Sequence, residues 1–203
     1  VRFTPQSTGA INGTASITGG GVTTAVTVTL NGTGIAAGTP NISAGSITSF
    51  GDVCINQTIG PVTFDINGTN LTTADVTVGP LSGFTFATSS AGPFSNTLSI
   101  TQPGGTFNQT VYVNFLPTAV QSYSGDISIS GGGIATPVLV AASGAGVNNV
   151  PGLTTGNASS ITTNSAVVAG TINSNGCSAV TTYGFEYSTT PGFTTGTVVN
   201  ATN

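Results

Sequence analysis

Hydrophobic and polar residues alternate in short runs along most of this chain. Val62, Phe64 and Ile66 alternate with Thr63, Asp65 and Asn67. Further runs follow at Val76/Val78, Phe84/Phe86, Leu98/Ile100, Val111/Val113/Phe115, Ile127/Ile129 and Val138/Val140. A period of two puts alternate side chains on one face, so each run predicts a strand with one buried side. Ile42, Ile47 and Phe50 predict a less regular first strand. Clusters of Gly, Pro, Asn and Ser separate the runs, as turns require. Seven or eight short strands at spacings of about ten residues predict a β-sandwich, and no helical period competes.

The pattern also repeats. Residues 1–35 align without a gap on residues 113–147, at a constant offset of 112 and with 14 of 35 positions identical. Phe3 falls on Phe115, Pro5 on Pro117 and Ile17 on Ile129; Gly19-Gly20-Gly21 falls on Gly131-Gly132-Gly133, and Gly32 and Gly34 fall on Gly144 and Gly146. The repeat sets the frame. Residues 1–35 are expected to be the closing part of one sandwich and 36–147 one complete sandwich. Residues 148–152 (NNVPG) read as a linker, and 148–203 as the opening part of a different β-sandwich. That unit has alternations at Ala166/Val168 and Tyr183/Phe185/Tyr187 and a strand near Val198-Val199. Both flanking domains are expected to be truncated, and the opening Val1-Arg2-Phe3, in mid-pattern, is expected to be a cut in a longer polypeptide.

Composition narrows the chemistry. The 203 residues contain no histidine, methionine or tryptophan, and charged residues make up 3 %. An ordinary domain carries about a quarter. Arg2 is the sole basic side chain; the acids are Asp52, Asp65, Asp75, Asp126 and Glu186, each alone in sequence. Proton-transfer catalysis needs a tunable group beside partners that shift its pKa, so no catalytic residues are assigned and the chain reads as a non-enzyme. Phosphate recognition relies on Lys and Arg, which argues against nucleic acid. No apolar run approaches the length of about eighteen residues that a membrane span needs. Disorder requires low hydrophobicity, whereas the mean hydropathy here is +0.32.

The segments FDINGTNLTTADVTV, GFTFATSS, NQTVYVNFLP and YSGDISISGGG together resemble the Ig-like repeats of giant Bacteroidota cell-surface proteins. The resemblance covers 36–147 and the closing third in 1–35. TTYGFEYSTTPGF is similar to the fibronectin-III-like modules that follow such repeats. The resemblance implies tandem immunoglobulin-like sandwiches followed by a fibronectin-III-like one, in a secreted, surface-located protein exported by the type IX route and used in adhesion or gliding. Its expected role is a stalk or fibre. The alternatives are a carbohydrate-binding or adhesive module and an accessory region of a secreted enzyme. Expected partners are further domains of the same long chain, further copies in a filament, and surface glycans. Family members carry more Lys and Asp than this chain does.

In an extracellular setting two cysteines favour a disulfide. Strand order in consecutive sandwiches puts Cys54 and Cys177, though in different domains, at one interdomain junction. The alternatives are two free, buried thiols, or pairing with cysteines elsewhere. Asp65-Ile66-Asn67-Gly68-Thr69-Asn70 loosely echoes a calcium loop but lacks the closing bidentate Glu; Asp65, Asn67 and Asp75 are the candidate Ca2+ ligands, with Asp52 able to join across loops, against a plain strand and turn. Nine N-x-S/T sequons occur, at Asn12, Asn31, Asn41, Asn56, Asn67, Asn70, Asn108, Asn157 and Asn200. They are glycan acceptors in a glycosylating host and polar turns and strand faces otherwise. Thr27-Val28-Thr29 raises an ice-binding surface, which the twist of sandwich sheets opposes. Tyr112 is a candidate for an exposed sugar platform, without a cluster beside it.

Overall fold

A computed structural model describes residues 2–190, 192 and 196–200. Val1 of the repeat, and Pro191 and Phe193 of the second motif, lie outside the described residues. The chain is all-β: no helix occurs among the described residues. Two strands precede the complete unit, β1 (Gly9–Ile17) and β2 (Val26–Gly34). Nine follow within 36–147: β3 (Asn41–Ala44), β4 (Asp52–Cys54), β5 (Ile59–Leu71), β6 (Val76–Val78), β7 (Phe84–Ala87), β8 (Leu98–Ile100), β9 (Gly105–Phe115), β10 (Gln121–Gly131) and β11 (Val138–Val147).

These nine form two sheets, one in the order β3-β5-β9-β7 and the other β4-β11-β10-β6-β8. Their inner faces carry the alternating apolar residues. Phe64, Ile66, Val111, Val113 and Phe115 are buried on the first sheet; Val76, Val78, Ile127, Ile129 and Val140 are buried on the second. At one end of the core, Phe84 and Phe115 stack with centroids 4.9 Å apart, and Phe50 and Tyr123 close on Phe115 at 5.5 and 5.4 Å. The expected immunoglobulin-like β-sandwich is therefore present.

The strand count is nine because the irregular first strand divides. β3 pairs antiparallel with β5 in one sheet. The chain then crosses to the other sheet, where β4 runs parallel to β11. Ile42, Phe50 and Val53 stay buried through the crossing, which explains why their spacing obeys no single period.

Two polar side chains pin the connections. Gln102, 4 % exposed, donates to the carbonyls of Thr72 and Ala74 and accepts from the Gly104 N–H. The Tyr123 hydroxyl accepts from the backbone N–H groups of Thr118 and Ala119, both at 3.0 Å. Hydrogen bonding to the Thr118 side chain, and then to these N–H groups, holds the phenol pKa below its ordinary value against an opposing effect of burial.

The repeat survives into three dimensions. β1 pairs with β2 from Gly9↔Gly34 to Ile17↔Val26, and β10 pairs with β11 from Gln121↔Gly146 to Ile129↔Val138. The two registers differ by the sequence offset alone. The packing detail is also duplicated. A Cβ on Gly144 would lie 2.6 Å from the Phe115 ring, and one on Gly32 would lie 2.6 Å from the Phe3 ring. Burial is not duplicated. Ile129 is 0 % exposed and Val140 4 %, whereas their counterparts Ile17 and Val28 are 58 % and 46 % exposed. The first hairpin has the shape of a closing hairpin and an open apolar face.

Beyond β11 lie β12 (Gly152–Thr155) and β13 (Gly170–Ser174), which pair antiparallel, and β14 (Gly184–Tyr187) and β15 (Thr197–Asn200), which pair likewise. The alternations at Tyr183/Phe185/Tyr187 and Val198-Val199 thus fall on paired strands. The strand expected at Ala166/Val168 does not form; pairing there is limited to one bridge, Ser159↔Val167. Ser160, beside the bridge, has a φ of 49°, and the two arms meet again at Thr162 and Ser165.

Candidate functional site: the interdomain junction

Cys54 and Cys177 form a disulfide, with Cα atoms 5.4 Å apart and 123 residues of sequence separation. Of the alternatives left open by the sequence, the structure selects this one. Each cysteine is positioned by backbone contacts. Cys54 ends β4, and the turn after it is tied down on three sides. The N–H of Ile55 donates to the Val147 carbonyl at 2.9 Å, that of Asn56 to Pro117 at 2.7 Å, and that of Gln57 back to Cys54 at 3.0 Å. Asn56 has a φ of 64°, in the left-handed region that asparagine enters more readily than most residues.

On the other side, Cys177 sits in the loop after β13. Its N–H donates to the Asn149 carbonyl at 2.8 Å, and the Asn149 N–H points back at the Cys177 sulfur at 3.2 Å. The loop and the linker approach so closely that a Cβ on Gly176 would lie 2.3 Å from the Asn149 oxygen. Gly176 also has a φ of 64°, so only glycine satisfies both demands. Three chain segments therefore meet here: the turn after β4, the linker after β11 and the loop after β13. They are joined by the continuous chain and by the disulfide, so the junction has two covalent connections.

The other candidates are dispersed. Asp65 lies on the outer face of β5 and accepts from the Thr110 hydroxyl at 2.6 Å. Asn67 lies two residues along that face, paired across the strands with Ser43 and Asn108. Asp75 precedes β6 in the opposite sheet and accepts from the Ser99 hydroxyl at 3.0 Å. The core separates Asp75 from Asp65, so the candidate calcium ligands are not brought together. Among the described residues no group of three or more His, Cys, Asp or Glu side chains clusters in a way that would hold a metal. Tyr112 is half-buried, and its direct cross-strand neighbours are Thr63 and Ala87. All nine sequon asparagines are exposed.

A cleft of about 480 Å³ opens between the β12–β13 and β14–β15 pairs, lined by Leu153, Val168, Ile172, Val180, Tyr183 and Phe185 among others. Its walls are the facing sides of two small sheets, the position of a sandwich core. Sequence reasoning located the cysteines but missed Gly176, Gln102 and the Tyr123 anchor. Asn175-Gly176 is a turn signal of the ordinary kind, with nothing in it to mark the partner strand.

No family model matches the chain, and no curated protein matches it. Among solved structures, it is similar to an ASH/PapD-like domain of human CEP192 (PapD-like domain 7), at 16 % identity, 54 % coverage of this chain, 85 % coverage of that one and a TM-score of 0.31. The assignment to the sandwich class rests on the two packed sheets. No helix among the described residues is long and apolar enough to cross a membrane, and the disulfide is compatible with an extracellular location.

Proposed function

We propose that this chain is a non-catalytic structural segment, a stalk or fibre, of a large secreted bacterial surface protein. The observation that carries the reading is the cross-braced junction: a sandwich repeat whose connection to the next β unit is doubled by Cys54–Cys177. A single linker lets adjacent domains reorient freely. A second covalent tie beside it fixes their angle, which is a property a spacer uses. The in-register repeat of β1–β2 and β10–β11 supports a tandem array. The resemblance to Bacteroidota surface repeats supports the cell exterior as its location. Further domains of the same chain, or further copies in a filament, are the partners that would cover the open face of β1–β2.

Small-angle scattering and electron microscopy of the oxidised chain test this. The expected particle is elongated, with one narrow distribution of angles between the 36–147 and 148–203 units; Cys54→Ser with Cys177→Ser broadens that distribution. Equal angular spread with and without the disulfide overturns the reading, as does labelling that finds the protein confined inside the cell.

A further inference from the structure

We propose that the Cys54–Cys177 bond is the load path of this segment, so that tension along the chain bypasses most of the complete sandwich. Its use in the organism rests on the stalk reading; the covalent connectivity behind it does not. A pull transmitted from upstream reaches Cys54 through β3 and β4. From there a continuous covalent route crosses the two sulfurs to Cys177 and continues toward β14. Everything between the cysteines in sequence, a separation of 123 residues, forms a closed loop whose ends are held with Cα atoms 5.4 Å apart.

A closed loop carries no net tension. Strands β5 through β13 all lie within it, that is, the sandwich after β4 and the first strand pair of the next unit. So do most of the buried core residues, among them Phe64, Ile66, Val111, Phe115 and Ile129. Of the strands of the sandwich only β3 and β4 remain in the tensioned path, held by the burial of Ile42, Phe50 and Val53 and by the pairing of β3 with β5 and of β4 with β11. Without the disulfide the route would run through β5 to β13 in series, and a sustained pull would draw out the whole sandwich. The hydrogen bonds from Ile55 to Val147 and from Cys177 to Asn149 seat the two ends of the bridge against the end of β11 and the linker that follows it. The load therefore crosses the sandwich only along β3 and β4 and leaves through the bridge, and the remaining strands hang beside that path.

Single-molecule stretching of the whole chain, held at its two ends by enzymatically attached, thiol-free handles, tests this. With the disulfide intact, the fully stretched chain should fall short of its reduced length by the separation of 123 residues, about 430 Å at roughly 3.5 Å per extended residue. Adding thiol reductant while the oxidised chain is held under load should release that length, and Cys54→Ser with Cys177→Ser should show it from the start. Circular dichroism establishes that this variant is folded at zero force; if it is not, reductant on the natural chain gives the same comparison. Equal stretched lengths for the oxidised and reduced chains overturn the proposal. A length difference of the expected size in a protein found inside the cell would leave the bypass standing and remove the stalk reading alone.

Discussion

Adding one methyl group at equivalent positions of the two repeat copies should have unequal consequences. In Gly144→Ala the new Cβ would lie 2.6 Å from Cε1 of Phe115 and 3.0 Å from Cδ1 and Cζ. The ring has nowhere to go: it is fully buried and contacted by Phe50, Phe84 and Tyr123. Overpacking of a rigid core site costs about 1–3 kcal/mol, and the clamped ring puts this case at the upper end. At the entropy change typical of a unit of this size, such a loss lowers Tm by about 10 °C. In Gly32→Ala the approach to Phe3 is equally close, but Phe3 is 50 % exposed and its ring can swing into solvent. The clash then relaxes, and loss of glycine entropy from the unfolded chain offsets what remains by about 0.4–1 kcal/mol.

Thermal unfolding followed by far-UV circular dichroism reads the first substitution, and hydrogen exchange across β1–β2 reads the second. An unchanged Tm for Gly144→Ala refutes the packing argument. Lost protection in β1–β2 for Gly32→Ala refutes the claim that Phe3 is free to move, and shows that the open face has found cover.

Tyr123→Phe removes the acceptor shared by the Thr118 and Ala119 N–H groups, and urea titration should show a lower midpoint. Because the folded-state phenol pKa is lowered, its ionisation adds stability as pH rises through the folded value toward the unfolded one, and that contribution is lost as pH falls back; the gap between natural and Tyr123→Phe chains should widen at alkaline pH. Gln102→Leu strands the Gly104 N–H and two carbonyls, at about 1–3 kcal/mol for a buried unsatisfied group; unchanged hydrogen exchange in the 72–75 connection would contradict that role. With no histidine in the chain, the side chain that normally titrates between about pH 5 and 8 is missing, and Tm should be flat across that interval. Calcium and a chelator should give the same Tm, since Asp65 and Asp75 sit on opposite sheets; a rise of several degrees with calcium would show that the ion assembles ligands that the fold keeps apart.

What the sequence made legible was periodic or repeated. Asp65 and Asn67 stand on the outer face and Phe64 and Ile66 on the inner one, because a half-buried strand admits no other reading of that alternation. The offset between copies predicted the register of β1–β2 from that of β10–β11 to the residue. The junction was legible through the cysteines, since consecutive sandwiches restrict which loops meet. What escaped depends on partners distant in sequence. The division into β3 and β4 follows from a choice between two sheets, and the buried set Ile42, Phe50 and Val53 fits either. Asp75 was a candidate to join Asp65 across loops, but the chain between them crosses the core to the other sheet. The run at Ala166/Val168 has a strand pattern, but its facing segment supplies only one bridge.

The scarcity of charge also acquires a structural counterpart. Asp65 and Asp75 are paired with hydroxyls, from Thr110 and Ser99, in a chain whose sole basic side chain is Arg2. Gln102 does by neutral hydrogen bonds what a buried ion pair does elsewhere, and neutral bonds avoid the desolvation cost of burying charge. Cohesion in 36–147 therefore comes from the apolar core and the strand ladders, which salt barely screens. Between the units the linker NNVPG is short, and a chain with one basic side chain offers few ion pairs to brace it. On the stalk reading, a covalent bridge is the remaining way to hold an angle between them. The disulfide therefore belongs at this junction, between units, rather than inside the sandwich, whose core already holds it together.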